Sequence, residues 1–194
     1  IAIWMLPIGV IGARVYYLIF NLDYYRTLSS MLDIRSGGLA IHGGLIFSAV
    51  TIFVICRRKK IDPFNVLDLF IPTVALAQSI GRWGNYFNGE AHGGPTDLPW
   101  GILVDGVRVH PTFLYESIWC LLLFIVLSWF NNKKRYANGQ TFALYCIFYS
   151  LERFLVESLR TDSLMIGPFK QAQVISICAI ILGIFLYRNL LCNL

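Results

Sequence analysis

Six apolar runs, separated by short polar stretches, dominate the chain: Ile1 to Phe20, Leu39 to Cys56, Phe64 to Ile80, Tyr115 to Phe130, Thr141 to Glu157 and Val174 to Tyr187. Each approaches the roughly 20 residues that a helix needs to cross a hydrocarbon layer of ~30 Å. None shows the strict alternation of a transmembrane barrel strand, and a backbone immersed in lipid must satisfy its own hydrogen bonds. The pattern therefore predicts an all-α fold, a polytopic transmembrane helical bundle of about six spans forming a single domain over 1–194. Its short connections near 21–38, 81–114 and 158–173 alternate with two on the opposite side. The third run is expected to stop at Ile80, ahead of a glycine-rich turn. Because Ile1 already lies inside an apolar run, with no charged leader before it, an upstream segment is expected rather than a signal peptide.

Composition agrees. Hydrophobic residues make up 57% of the chain and charged ones 14%, against about 25% charge in a soluble domain. The net charge of +5 does not read as a nucleic-acid surface, since the basic residues have no interleaved aromatic platform in a polar segment. They gather in Arg57-Arg58-Lys59-Lys60 and Lys133-Lys134-Arg135, and the positive-inside rule puts both clusters in the cytoplasm. The five cysteines, Cys56, Cys120, Cys146, Cys178 and Cys192, have neither metal-ligand nor pairing spacing and read as small hydrophobes.

This orientation sends most of the unusual polar residues to the outer side. Arg14 falls in the outer half of the first span, His42 at the outer start of the second, Arg82 and Asn85 after the third, His110 and Tyr115 before the fourth, and Arg153 and Glu157 at the end of the fifth. One arginine near a span end is explained by snorkelling. Arg82, Arg153 and Arg160 sit on the side that the positive-inside rule disfavours, which points to an anionic partner.

Four stretches carry candidate chemistry. Gly37-Gly38-Leu39-Ala40-Ile41-His42-Gly43-Gly44 sets one imidazole among glycines, either for helix packing or as a base that titrates near neutrality. The stretch Gly81-Arg82-Trp83-Gly84-Asn85-Tyr86-Phe87-Asn88-Gly89-Glu90 offers a guanidinium, amides and a carboxylate within a turn, which suits a phosphate and suits equally a structural turn stitched by asparagines. His110-Pro111-Thr112-Phe113-Leu114-Tyr115-Glu116-Ser117 reads as helix capping with an interfacial aromatic anchor. In the fifth span Tyr149, Arg153, Glu157 and Arg160 share a face at 100° per residue if the helix continues that far, and Arg153 with Glu157 forms an i, i+4 pair.

In this order, G-R-W-G-N-Y-F-N-G-E-A-H-G from Gly81 to Gly93, supported by G-G-L-A-I-H-G-G and Y-S-L-E-R-F-L-V-E-S-L-R, resembles the bacterial phosphatidylglycerol–prolipoprotein diacylglyceryl transferases. The resemblance covers Gly12 to about Ser176. It implies transfer of diacylglyceryl from phosphatidylglycerol to the lipobox cysteine thiol of a preprolipoprotein, in the bacterial plasma (inner) membrane, with the site toward the extracytoplasmic leaflet. It also implies seven spans in the full protein, one of them upstream. The family's important residues fall on His42, Arg82, Asn85, Glu90, Gly93, Tyr149, Arg153 and Glu157. Phe113 departs from the family's H-P-x-Q-L-Y-E pattern, where glutamine is usual, and the segment between Gly93 and His110 is too short for a large head.

The expected catalytic set is His42, Arg82, Arg153 and Tyr149. The expected substrate-binding set is Arg14, Asn85, Asn88, Glu90, Gly93, His110, Tyr115, Glu157 and Arg160. No metal or cofactor is expected; the partners are phosphatidylglycerol, the lipobox peptide and membrane lipid, and no nucleic acid. A transporter with an outer-leaflet anion or lipid site is the leading alternative, followed by a scaffold whose glycines pack helices.

Overall fold

The computed structural model describes residues 1–192 except 26, 36 and 162. Six long helices carry the fold: α1 Ala2–Phe20, α3 Ile41–Lys59, α4 Pro63–Phe87, α5 Thr112–Lys133, α6 Gln140–Leu159 and α7 Gln171–Cys192, with a short α2 at Leu28–Leu32. Among the described residues five of them, α1, α3, α4, α5 and α7, are long and apolar enough to cross a membrane. Helix α6 is of similar length, but Glu152, Arg153 and Glu157 interrupt its apolar run. The chain is an all-α, multi-pass membrane protein.

It forms two compact units, Ile1–Val66 and Leu67–Leu194. In the first, α1 packs on α3 through small residues. A Cβ on Gly43 would collide with the Gly12 carbonyl, and one on Gly9 would lie 2.5 Å from Ser48 Oγ. Only glycine permits backbones this close, which is how transmembrane helices associate when lipid removes the hydrophobic drive.

The second unit is built around α4, α5 and α6. Ile71 of α4 meets Leu123 and Leu127 of α5, with Tyr145 and Tyr149 of α6 against them. Two serines lock α4 to α5 reciprocally: Ser79 Oγ donates to the Ser117 carbonyl (2.8 Å) and Ser117 Oγ to the Ser79 carbonyl (2.9 Å). At the other end of α4, the fully buried Asp68 accepts the N–H groups of Gly139 (2.7 Å) and Phe142 (2.8 Å), capping α6. Helix α7 lies along α6, where Gly183 leaves room for Ile147 and the Ala143 carbonyl.

Two features differ from the sequence expectation. The third apolar run does not stop at Ile80, because α4 continues through Gly81 and Gly84 to Phe87. The aromatic residues that follow each glycine hold those turns: Trp83 and Tyr86 pack on Phe113 of α5, with ring centroids 5.4 and 4.7 Å apart. This contact offsets the cost of about 1 kcal/mol for each glycine in a helix. The connections also contain small antiparallel hairpins, β1 Ile102–Val104 with β2 Val107–Val109 and β3 Met165–Ile166 with β4 Phe169–Lys170. Runs of two or three residues are too short for strand periodicity to register.

Candidate functional site

Glu116 lies on the first turns of α5 with its side chain 2% exposed, and it takes a guanidinium on each oxygen. Arg82 of α4 approaches Oε2 through Nε at 2.9 Å, and Arg153 of α6 approaches Oε1 through Nη1 at 2.6 Å. Three helices thus meet at one carboxylate. The remaining Nη2 of Arg153 reaches Glu157 Oε2 at 2.6 Å, aligned as an ion pair rather than a hydrogen bond. A buried charge is tolerated only when paired, and Glu116 and Glu157 together balance the two arginines.

Arg153 therefore has both Nη groups engaged, whereas Arg82 meets Glu116 through its Nε and also pairs with the Tyr149 side chain. Tyr149 stacks on Tyr145, with centroids 5.2 Å apart at 9°, and the Tyr145 hydroxyl is held by Gln78 Oε1 at 2.8 Å. The ring plane of Tyr149 is fixed by these contacts. The Arg82 and Arg153 side chains remain about one-fifth exposed, so neither is sealed from an approaching anion. Planar forks in this arrangement suit bidentate phosphate binding.

Glu152 of α6 adds a third carboxyl group. Both of its oxygens are buried without a hydrogen-bond partner, beside Glu116, Arg82 and Arg153.

The chain following α4 wraps over the α6 end of this cluster. Asn88 Nδ2 donates to Glu90 Oε1 (2.8 Å), and both residues are exposed. Asn85 is helical and half-buried, with its carbonyl accepting the Glu90 N–H at 3.0 Å. Gly93 is buried between His110 and α6, and it donates its N–H to the His110 carbonyl at 2.9 Å while Gly94 donates to the Leu159 carbonyl. A Cβ on Gly93 would stand 2.6 Å from His110 Cβ and 3.1 Å from the Leu159 carbonyl, so glycine is required for this approach. His110 Nδ1 lies 3.4 Å from the Tyr115 hydroxyl, which accepts Trp100 Nε1–H at 2.9 Å.

Arg160 departs from the expected helical face. Helix α6 ends at Leu159 and Arg160 is extended, forming a backbone bridge with Gly93. The turn expected at Gly81 is likewise displaced. The N–H groups of Gly81 to Phe87 belong to a helix, and the open turn begins only at Asn88.

In the first unit, Arg14 is buried and donates to four carbonyls: Met31 (2.9 Å), Ser30 (2.8 Å), Gly37 (2.6 Å) and Gly38 (3.0 Å). Its guanidinium carbon also stands 5.0 Å from the Tyr25 ring centroid. Most of its donors are thus spent on organising the 21–38 connection. His42 is exposed in the first turn of α3, with its ring 6.2 Å from that of Tyr16.

The structure places Arg82, Arg153, Glu157 and Tyr149 in one cluster, and it adds Glu116, which the sequence groups with capping residues, and Glu152, which the sequence does not single out. The available signal was an acid just inside an apolar span, which demands a cationic partner.

The family model described as prolipoprotein diacylglyceryl transferase matches residues 1–188. The chain is 52% identical over 188 residues to the phosphatidylglycerol–prolipoprotein diacylglyceryl transferase of Finegoldia magna, covering 96% of this chain and 75% of that relative. It is 54% identical over 185 residues to the enzyme of the same name from Clostridioides difficile, covering 95% and 74%. Identity to the one from Fervidobacterium nodosum is 46% over 200 residues, covering 97% and 68%. With its three-helix arginine and carboxylate cluster carried by a chain matched almost end to end, the protein belongs to the prolipoprotein diacylglyceryl transferase family.

Proposed function

We propose that this chain transfers the diacylglyceryl group of phosphatidylglycerol to the lipobox cysteine thiol of a preprolipoprotein, in the bacterial plasma membrane, at a site open to the extracytoplasmic leaflet. The observation that carries this reading is the convergence of Arg82 and Arg153 on Glu116. It presents two guanidinium groups, fixed in orientation, to one anion, and the phosphodiester of the donor lipid is such an anion.

The thiol sulfur attacks the glyceryl carbon that bears the phosphate, forming the C–S bond. The C–O bond breaks with its electron pair going to the phosphate oxygen, and glycerol phosphate leaves. The thiol must give up its proton to a base, since with a reference pKa near ~8.5 it is mostly protonated at neutral pH, and His42 is the imidazole the sequence offers for that role. Arg82, which meets Glu116 through its Nε, makes the main phosphate contact. Arg153 supports it and offsets the charge that grows on the leaving oxygen. Glu116 and Glu157 act through the arginines, fixing their planes. Tyr149 borders the same space, while Asn85, Asn88 and Glu90 shape the head-group side. Gly93, His110, Tyr115 and Arg160 form its covering segment, and Arg14 organises the 21–38 connection. The connections near 81–114 and 158–173 lie on the outer side of the second unit in this reading. No observation favours the transporter or scaffold readings.

The test is purified protein with phosphatidylglycerol and a lipobox peptide, followed by mass. A thioether-linked diacylglyceryl adduct on the cysteine is the expected product. An unmodified peptide, with protein that is folded and phosphatidylglycerol present, would overturn the reading.

A further inference from the structure

The β3–β4 hairpin between α6 and α7 has no role in the chemistry above, and its surface is unusual for a polar connection. Met165 pairs with Lys170 and Ile166 with Phe169, around a turn in which Gly167 takes φ +58°. Leu164, Met165, Ile166 and Phe169 are 73, 56, 55 and 64% exposed. Four adjacent large apolar side chains facing outward form a patch that a solvated loop does not carry without a partner. A two-stranded hairpin this short is also marginal by itself in water.

The hairpin is nevertheless tied down. Its one charged side chain, Lys170, points inward, with Nζ donating to the carbonyls of Glu157 (2.6 Å) and Arg160 (2.9 Å) at the end of α6. The Gln171 N–H closes the base on the Leu164 carbonyl at 2.8 Å. The ammonium thus neutralises the carbonyl end of the helix that carries Arg153, and only apolar groups are left at the tip. Helix α7 begins at once, and its exposed Ile175, Ile177 and Ile181 continue the apolar surface into a membrane-spanning helix.

We infer that the tip of this hairpin, Leu164 to Phe169, inserts into the lipid leaflet at the α6 end of the bundle. The occupant is the upper acyl and glycerol layer of the bilayer, because the tip is continuous with the lipid-facing side of α7 and offers neither a groove nor a charge for a peptide. Pairing satisfies only the backbone groups between the two strands, so the outer edges keep the hairpin in the hydrated glycerol and upper acyl layer and out of the hydrocarbon centre. At 1.5 Å per residue, Arg153 lies roughly 10 Å along α6 from Arg160. An anchored hairpin therefore fixes the depth of the arginine pair relative to the lipid phosphates. This consequence rests on the transfer reading, whereas the lipid contact does not.

The experiment uses the full chain in phosphatidylcholine and phosphatidylglycerol vesicles. Cys178 and Cys192, the exposed cysteines, are replaced by serine, and an environment-sensitive fluorophore is placed on Ile166→Cys or, as control, on the exposed Asp97→Cys. Lipid carrying a nitroxide near the glycerol end of its chains is expected to quench the label at 166 at least about twofold more than the label at 97. Equal quenching at both positions, or quenching at 166 only by a nitroxide-bearing lipobox peptide, would overturn the lipid contact. The paired substitutions Met165→Asp and Ile166→Asp are expected to raise the apparent KM for vesicle phosphatidylglycerol several-fold with kcat little changed. An unchanged KM removes the depth-setting role. A protein whose label at 166 is quenched but which modifies no peptide removes the transfer reading instead and leaves the lipid contact standing.

Discussion

Arg153 is held at both ends, its Nη1 on Glu116 and its Nη2 on Glu157, each at 2.6 Å. The Glu116 contact joins α6 to α5, and through the second oxygen of Glu116 it also joins α6 to Arg82 of α4. A single fork therefore links the packing of three helices to the placement of two cations.

Replacing Arg153 with lysine tests the fork. Lysine keeps the charge but offers one point donor, so it cannot span Glu116 and Glu157 together. Transfer rate at equal membrane abundance is expected to fall by about a hundredfold, the scale of losing an aligned donor to developing charge. A wild-type rate would show that planar geometry is not used.

Glu116→Ala removes the shared acceptor and leaves two guanidinium groups partly buried without their carboxylate. Breaking a buried pair from one side costs about 3–5 kcal/mol. A marked drop in thermal stability in detergent is expected, with Glu116→Gln recovering part of the stability but not the transfer rate. Full activity in Glu116→Gln would show that the arginines need no anionic tether.

Gly93→Ala asks whether the close approach over the site is required. The added methyl would stand 2.6 Å from His110 Cβ with the Leu159 carbonyl at 3.1 Å, an overpacking of the kind that costs about 1–3 kcal/mol. Faster proteolysis between Gly93 and His110, together with reduced transfer, is the expected outcome. Gly89→Ala, where a Cβ meets no neighbour but φ is +69°, is expected to cost only about 1 kcal/mol through local backbone strain.

Arg14→Lys separates scaffolding from chemistry in the first unit. Lysine cannot reach the four carbonyls that Arg14 satisfies, and a typical hydrogen bond lost contributes about 0.5–1.5 kcal/mol. The connection near 21–38 is expected to become protease-sensitive. Unchanged protection would show that these hydrogen bonds do not hold it.

Much of this was visible in the chain itself. The apolar runs located all six long helices to within a few residues at most ends, because length and hydropathy decide what crosses a membrane. Arg82, Arg153 and Glu157 stood out as charges in costly places. Glu116 did not, because its partners lie 34 and 37 positions away and only the packing of α4 and α6 on α5 brings them near. The extension of α4 to Phe87 was hidden by Gly81 and Gly84, whose punctuating effect is outweighed by Trp83 and Tyr86 against Phe113. Arg160 was misplaced because helical periodicity cannot reveal that α6 stops one residue earlier, where the bridge to Gly93 takes over.

The central claim is that Arg82 and Arg153 serve one phosphate, and thioether formation by Arg82→Gln, Arg153→Gln and the double variant tests it most directly. Two groups acting as a unit are expected to be non-additive, with each single change costing about a hundredfold and the double variant little worse than either. Losses that multiply independently, or singles that retain wild-type rates, would contradict a shared phosphate site.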